Sequence, residues 1–338
     1  MNRITKFFRQ NPSLDALILV SRDAATSFPD PNIHYFSGSG ADSCLLAAFK
    51  EKEPTLFAST LVSGSVSEEC GLSVKPFKGR EVYTELAKEL KGCKRVGIDA
   101  DFLSVKTFSR LRKLGKKLVD VSGKLESLRA VKDEGEIKTI SSACKLTKKI
   151  FKEVTLSQKK TEEQVANELQ SITFSEGAEP AFKPIVLSGK RSRFPHAIPS
   201  KTVLGNNGVL IDYGVKLNDY CSDLTRCFNY SSKAGSVYSE LKEMVGELAD
   251  YAGSGMKASE LAGKAGELVR QRGFPEMPHS VGHGIGLLVH ESPSLSKKSQ
   301  DILRKGSVFT LEPSVYLKDF GARFEETLAL GSNKARIL

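Results

Sequence analysis

Four short apolar runs in the second half of the chain carry a carboxylate where a strand ordinarily carries a hydrophobe. Asp212 interrupts GVLIDY, Asp223 lies in DYCSDLTRCF, Glu312 closes VFTLE, and Glu325 and Glu326 sit in GARFEETLAL. A buried acid is costly unless a cation or a donor offsets it. One such acid is usually a strand-edge residue facing solvent. Four of them constrain the fold to one that draws several strands to a common point. The first two acids illustrate how. Residues 208–213 and 219–228 flank a turn-rich segment and predict an antiparallel hairpin. With the turn near Asn218, Asp212 and Asp223 lie near-opposite across the ladder and converge on one face. Two like charges that close need a neutralising cation.

The histidines strengthen this reading. The chain has five, and His279, His283 and His290 fall within HSVGHGIGLLVH. A lone histidine is usually structural, but these three stand beside Gly282, Gly284 and Gly286, which permit close backbone approach and unusual φ angles. An oxygen-rich set with one imidazole suits hard or borderline divalent metals: manganese, cobalt, iron or zinc. Four carboxylates and one neutral histidine are balanced by two divalent cations, and a metal pair is a device for hydrolysis.

The rest of the chain supplies the scaffold. Its 338 residues suggest two domains. In the first part, short apolar runs at 15–22, 43–49, 55–58 and 95–98 alternate with helical patterns at 80–91 and 105–114, which end at Gly92 and Gly115. This predicts an α/β domain over 1–125. A second domain, 126–338, opens with an amphipathic helix whose face is Ile137, Ile140, Cys144, Thr147 and Phe151. Another helix is expected over 161–174 with Thr161 as N-cap. Strands follow over 184–228, helices over 239–252 and 259–272, and strands over 307–317 and 322–330. The second domain is therefore expected to be α+β.

Composition excludes several classes. The longest apolar runs are far shorter than the ~18–20 residues a membrane span needs. The N-terminus shows no cleavage pattern, so no signal peptide is expected. Six cysteines without a CxxC pair read as reduced thiols of a cytoplasmic protein. The net charge of +10 is concentrated in residues 106–160, which hold sixteen Lys or Arg against six Asp or Glu. Apolar residues run through that window at helical spacing. It therefore reads as a solvated helical face rather than a nucleic-acid site.

The pieces LIDYGVKLNDYCSDLTRCF, HSVGHGIGLLVHESP, FTLEPSVY and ARFEETL together resemble the pita-bread metallopeptidases. NIHYFSG and LRAVKDEGE, upstream, resemble the proline-specific branch of Xaa-Pro aminopeptidases and Xaa-Pro dipeptidases (prolidases). The resemblance implies a creatinase-like α/β N-terminal domain before an α+β pita-bread catalytic domain. It implies two divalent ions, manganese or cobalt first, with zinc or iron as alternatives. Asp212 would hold one metal, Asp223 and Glu325 would bridge, and His283 and Glu312 would hold the other. Glu312 would also move the attacking water's proton. His196, His279 and His290 match histidines that contact substrate, while Thr225, Arg323 and Glu326 would support the ligands from behind. A homodimer and peptide substrates with proline in second position follow from the same resemblance.

Two departures from the family pattern stand out. Ser314 follows Glu312-Pro313 where the family often has Gly, which is expected to perturb that turn mildly. Ser294 replaces an Arg found after the VHE-x-P piece in some prolidases, which removes one clamp for a C-terminal carboxylate. Aminopeptidase is therefore expected over dipeptidase, with Arg191 and Arg193 as remaining clamp candidates and Phe182, Phe194 and Tyr220 as candidate walls around the proline ring. A non-peptidase binding module of the same fold is the remaining alternative.

Overall fold

The computed structural model describes residues 2–21, 30–40, 42–205 and 208–338. It divides into two compact units, 1–128 and 129–338. No helix among the described residues is long and apolar enough to cross a membrane.

The first unit is built on a six-stranded mixed sheet. Its strand order is Ser73–Phe77, Thr55–Ser59, Cys44–Phe49, Ala16–Val20, Arg95–Ile98, Lys117–Asp120. Ala16–Val20 is the centre because every residue of ALILV is apolar and both faces are covered. Ile18, Leu45, Phe57 and Ile98 pack on one face against Val82, Leu86 and Leu111 of the helices Glu81–Glu89 and Val105–Arg112. Gly92 and Gly115 follow these helices with φ of 88° and 69°, a conformation glycine adopts without strain. The end of the expected strand at Arg22 lies outside the described residues. Both edge strands, Ser73–Phe77 and Lys117–Asp120, escape sequence reading because neither is fully buried on a face.

The second unit has two halves, each a pair of helices on a sheet. In the first half, Glu134–Glu153 and Glu162–Ser175 cover the antiparallel strands Ile185–Ser188, Val209–Tyr213 and Leu224–Phe228. Ile140, Cys144, Thr147 and Phe151 are buried along the first helix, as their spacing predicts, and Ile137 is half-buried. Thr161 caps the second helix in a capping box: its hydroxyl accepts from Gln164 N, and the Gln164 side chain accepts from Thr161 N. In the second half, Ser232–Tyr251 and Ala258–Gln271 pack on a five-stranded sheet that includes Val308–Leu311 and Glu326–Leu330. Each fully buried Leu or Val in these cores contributes roughly 1.5–3 kcal/mol.

The hairpin carrying the first two acids differs in register from the expectation. It turns at Asn218 and Asp219, whose φ angles of 47° and 66° form a two-residue turn between Leu217 and Tyr220. In that register Asp212 pairs with Thr225, not Asp223. Asp223 falls one residue before the strand Leu224–Phe228, two positions along from Thr225 and on the same face of the ladder. The ladder is broken there because the backbones close in: a Cβ on Gly214 would lie 1.8 Å from Ser222 O. The long strands expected over 307–317 and 322–330 are likewise broken. Glu312 falls between Val308–Leu311 and Ser314–Tyr316, and Glu325 falls between Gly321–Arg323 and Glu326–Leu330.

Candidate active site

The strand breaks gather the acids. Asp223 and Glu325 lie at gaps between strands, Glu312 follows Leu311, and Asp212 reaches in from within Val209–Tyr213. All of these, with His196, His279, His283, His290 and Arg323, line one cleft of about 450 Å3. Asp223, His283 and Glu325 each offer a ligand atom within 4.8 Å of the others. His283 Nε2 is 3.5 Å from Asp223 Oδ2 and 4.0 Å from Glu312 Oε1.

His283 is presented by a narrow slot between two strands. A Cβ on Gly282 would lie 2.0 Å from Thr310 O, and one on Gly284 would lie 2.2 Å from Ser292 backbone atoms. A Cβ on Gly286 would strike the Glu291 carboxylate at 2.3 Å. Gly282 and Gly284 are therefore required by close backbone approach, whereas Gly286 makes room for a side chain. None has positive φ, so the unusual φ expected of them is not the reason for their presence.

Electrostatics leave the acids short of positive charge. Burial raises Asp223 well above the usual carboxylate range, and the charges of Asp212 and Glu312 add to the shift. Burial does the same to Glu325, with Asp223 and Glu312 contributing. Arg323 is buried, which opposes its charge, yet Asp212 and the neighbouring acids hold it firmly protonated. One guanidinium does not offset four carboxylates. Asp212 Oδ1 and Asp223 Oδ1 are buried without a hydrogen-bond donor among the described residues. Buried lone pairs aimed into a cleft beside an imidazole fit a divalent cation.

Arg323 is the hub behind the acids. Its Nη2 donates to Asp212 Oδ2, its Nε donates to Thr225 Oγ1 at 3.0 Å, and its Nη1 donates to Tyr316 Oη at 2.9 Å. Thr225 in turn donates to Glu325 Oε2 at 2.7 Å. Glu326 faces away from the cleft, where Arg226 and Lys148 hold its carboxylate. It touches no acid of the cluster directly. Arg226 also donates to the Glu325 carbonyl at 2.6 Å, so Glu326 reaches that backbone only through Arg226.

The outer histidines are held differently. His279 Nε2 meets Ser314 Oγ at 2.9 Å and Tyr316 Oη at 3.0 Å, and its Nδ1 meets Ser280 O at 2.7 Å. A carbonyl only accepts, so Nδ1 carries the proton and Nε2 accepts from a hydroxyl. His290 stacks at a tilt on His283, with ring centroids 4.2 Å apart, and burial and the His283 charge push its pKa down to about 4. His196 lines the same cleft from the loop 189–200.

Several expected contacts are absent. Of the candidate walls, only Phe182 lines the cleft. Phe194 is exposed beneath the Arg193 guanidinium, and Tyr220 is buried, donating to Glu136 Oε1 at 2.8 Å. The clamp arginines are occupied elsewhere. Arg191 pairs with Glu162 at 3.0 Å, and Arg193 donates to Lys318 O at 3.0 Å. The basic window is also more than a solvated face: Arg129 and Lys132 are buried against Glu291, and Lys148, Lys149 and Lys160 pair with acids.

Sequence reasoning missed Tyr316, Arg226, Glu162 and Glu291 as supports of this site, and it did not connect Ser314 with His279. For Tyr316 the signal was a polar aromatic four residues after Glu312. The other partners lie too far away in the chain to be paired by eye.

Comparisons with known proteins identify the family of the chain and its fold. The model of metallopeptidase family M24 matches residues 138–332, and that of the creatinase/prolidase N-terminal domain matches 2–131. An Xaa-Pro dipeptidase of Pyrococcus horikoshii is 31% identical over an alignment covering 100% of this chain and 96% of the relative. Among solved structures, an X-Pro aminopeptidase of Thermotoga maritima superposes with a TM-score of 0.90 at 29% identity, covering 97% of each chain. The prolidase of Pyrococcus horikoshii superposes with a TM-score of 0.87 at 31% identity, covering 99% of this chain and 96% of that one. The expected fold class, a creatinase-like α/β domain before an α+β pita-bread domain, is borne out.

Proposed function

We propose, from the premise that this chain belongs to metallopeptidase family M24 and is a metallo-exopeptidase, that it releases the first residue from peptides with proline in second position. Asp212, Asp223, His283, Glu312 and Glu325 would hold two divalent ions, manganese or cobalt before zinc or iron. Their orphaned, mutually repelling carboxylates support that assignment. Such ions supply Lewis acidity and lower the pKa of water.

The protein groups do the remaining work. Glu312 is 3.7 Å from His279 Nδ1 and takes the proton of the attacking water, passing it towards the departing proline nitrogen. His279, His290 and His196 line the cleft that takes the peptide, and Nδ1 of His279, which donates to Ser280 O, lies beside Glu312. Proline's tertiary amide has no N–H, so recognition rests on shape: Phe182, Pro184, Ile185 and Pro199 offer the apolar wall. Arg323 and Thr225 fix Asp212 and Glu325 in place from behind.

The observation that carries aminopeptidase over dipeptidase is the cleft's cation supply. A dipeptidase must grip the free carboxylate of its substrate. Arg191, Arg193 and Arg323 are each committed to other partners, and Ser294 offers no charge. The dipeptidase reading retains support from the name of the 31% identical relative and from Lys183, a cation in the cleft lining. Assays on Ala-Pro and Ala-Pro-Ala separate the two. Hydrolysis of the tripeptide supports the proposal, and hydrolysis of the dipeptide alone overturns it. The enzyme is further proposed to be a homodimer, which light scattering reads directly.

A further inference from the structure

We infer that Glu162 is a positioning residue for substrate: it latches both ends of the loop 189–200 that carries His196. The inference rests on the proposed function for its substrate, but its geometry is independent. Glu162 opens the helix Glu162–Ser175, and its side chain is fully buried. At the loop's entry, Oε1 accepts from Ser188 N at 2.8 Å. At its exit, Oε2 accepts from Ser200 N at 3.0 Å and from Ser200 Oγ at 2.8 Å. Arg191, inside the loop, donates to the same carboxylate through Nε and reaches across to Ile198 O through Nη2 at 2.8 Å. One carboxylate therefore ties residues 188, 191 and 200, and through Arg191 also residue 198.

That pinch determines what the loop offers. His196, Ala197, Ile198 and Pro199 line the same cleft as the carboxylate cluster. Ile198 is 81% exposed, so packing does not hold it; the Arg191 bond to its carbonyl does. The base of the loop is anchored separately, by Ser192 Oγ accepting from Gly321 N at 2.9 Å. Gly321 opens the strand that ends at Arg323. Loss of Glu162 would therefore free the tip and leave the base attached. The sequence offered Arg191, with Arg193, as a candidate clamp for a substrate carboxylate. The structure assigns it to Glu162, which converts a binding residue into part of a scaffold for His196.

The test is a double-mutant cycle on the metal-loaded enzyme with Ala-Pro-Ala and Ala-Pro as substrates, supported by hydrogen exchange. Glu162→Gln keeps the shape and removes the charge. Arg191→Lys keeps the Glu162 partner and loses the link to Ile198. A displaced loop should lower kcat/KM by about tenfold to a hundredfold in Glu162→Gln. In a His196→Ala background the same change should cost less than about twofold, because both act through one group. Additive losses would show that Glu162 only stabilises the fold and would overturn the inference. Exchange at 189–200 should rise in both variants while that of Ser232–Tyr251 stays fixed. Unchanged exchange over the loop would overturn the latch even if neither substrate is cleaved, so failure of the proposed function remains distinguishable.

Discussion

Lys132 donates from Nζ to Glu291 Oε1 at 2.7 Å, with the two side chains only 1% and 2% exposed. Arg129 completes the set at 3.4 Å from the other oxygen. Glu291 follows His290 directly, and the Gly286 backbone closes over its carboxylate. This pair joins LRAVKDEGE to VHESP, two segments that share no contact legible in the sequence. Lys132→Met leaves a buried carboxylate with one weaker partner. Breaking such a pair costs about 3–5 kcal/mol. Denaturant unfolding should show a loss of that order, and a loss below about 1 kcal/mol would mean the charges are not desolvated.

Gly214 lies at a close backbone approach in the hairpin between Asp212 and Asp223. An added methyl would sit 1.8 Å from Ser222 O, against backbone that cannot yield cheaply. Gly214→Ala should push Ser222 and its neighbour Asp223 out of register. The variant is expected to lose more than about 3 kcal/mol of stability and to bind divalent metal weakly. A variant as stable and as well metallated as the parent would contradict the register described above.

The Ser314 hydroxyl lies 2.9 Å from His279 Nε2, next to Tyr316 Oη at 3.0 Å. The two hydroxyls keep the proton of His279 on Nδ1. Ser314→Gly should cost one hydrogen bond, about 0.5–1.5 kcal/mol or about two- to tenfold in kcat/KM. It should cost nothing further in His279→Ala. Equal losses in both backgrounds would assign Ser314 to backbone geometry alone.

The candidate site was legible where residue type broke the pattern of its element. Carboxylates at the ends of VLID and VFTLE, and histidines among glycines, contradict their apolar surroundings, and the structure gathers them in one cleft. The hairpin register differs by one position because the turn centres between Asn218 and Asp219 rather than on Asn218, which pairs Asp212 with Thr225. The helix Ser232–Tyr251 begins seven residues before the expected 239 because its first turns are polar. The ion pairs were not legible. Glu162 meets residues 26 to 38 positions away, and Glu291 meets Lys132 across 159. Local periodicity carries no information about which buried charge will find which partner.

The central claim is that five side chains from separated segments, three of them at strand breaks, form a divalent-metal centre that hydrolyses Xaa-Pro bonds. Its most direct test is elemental analysis of manganese-loaded wild type beside Asp223→Asn, with Ala-Pro-Ala hydrolysis measured on the same samples. Asp223 faces His283 and Glu325, so removing its charge should break the centre while keeping its volume. The account predicts about two ions per chain and hydrolysis in the wild type, with both lost in the variant. Full metal content and full activity in Asp223→Asn would contradict it.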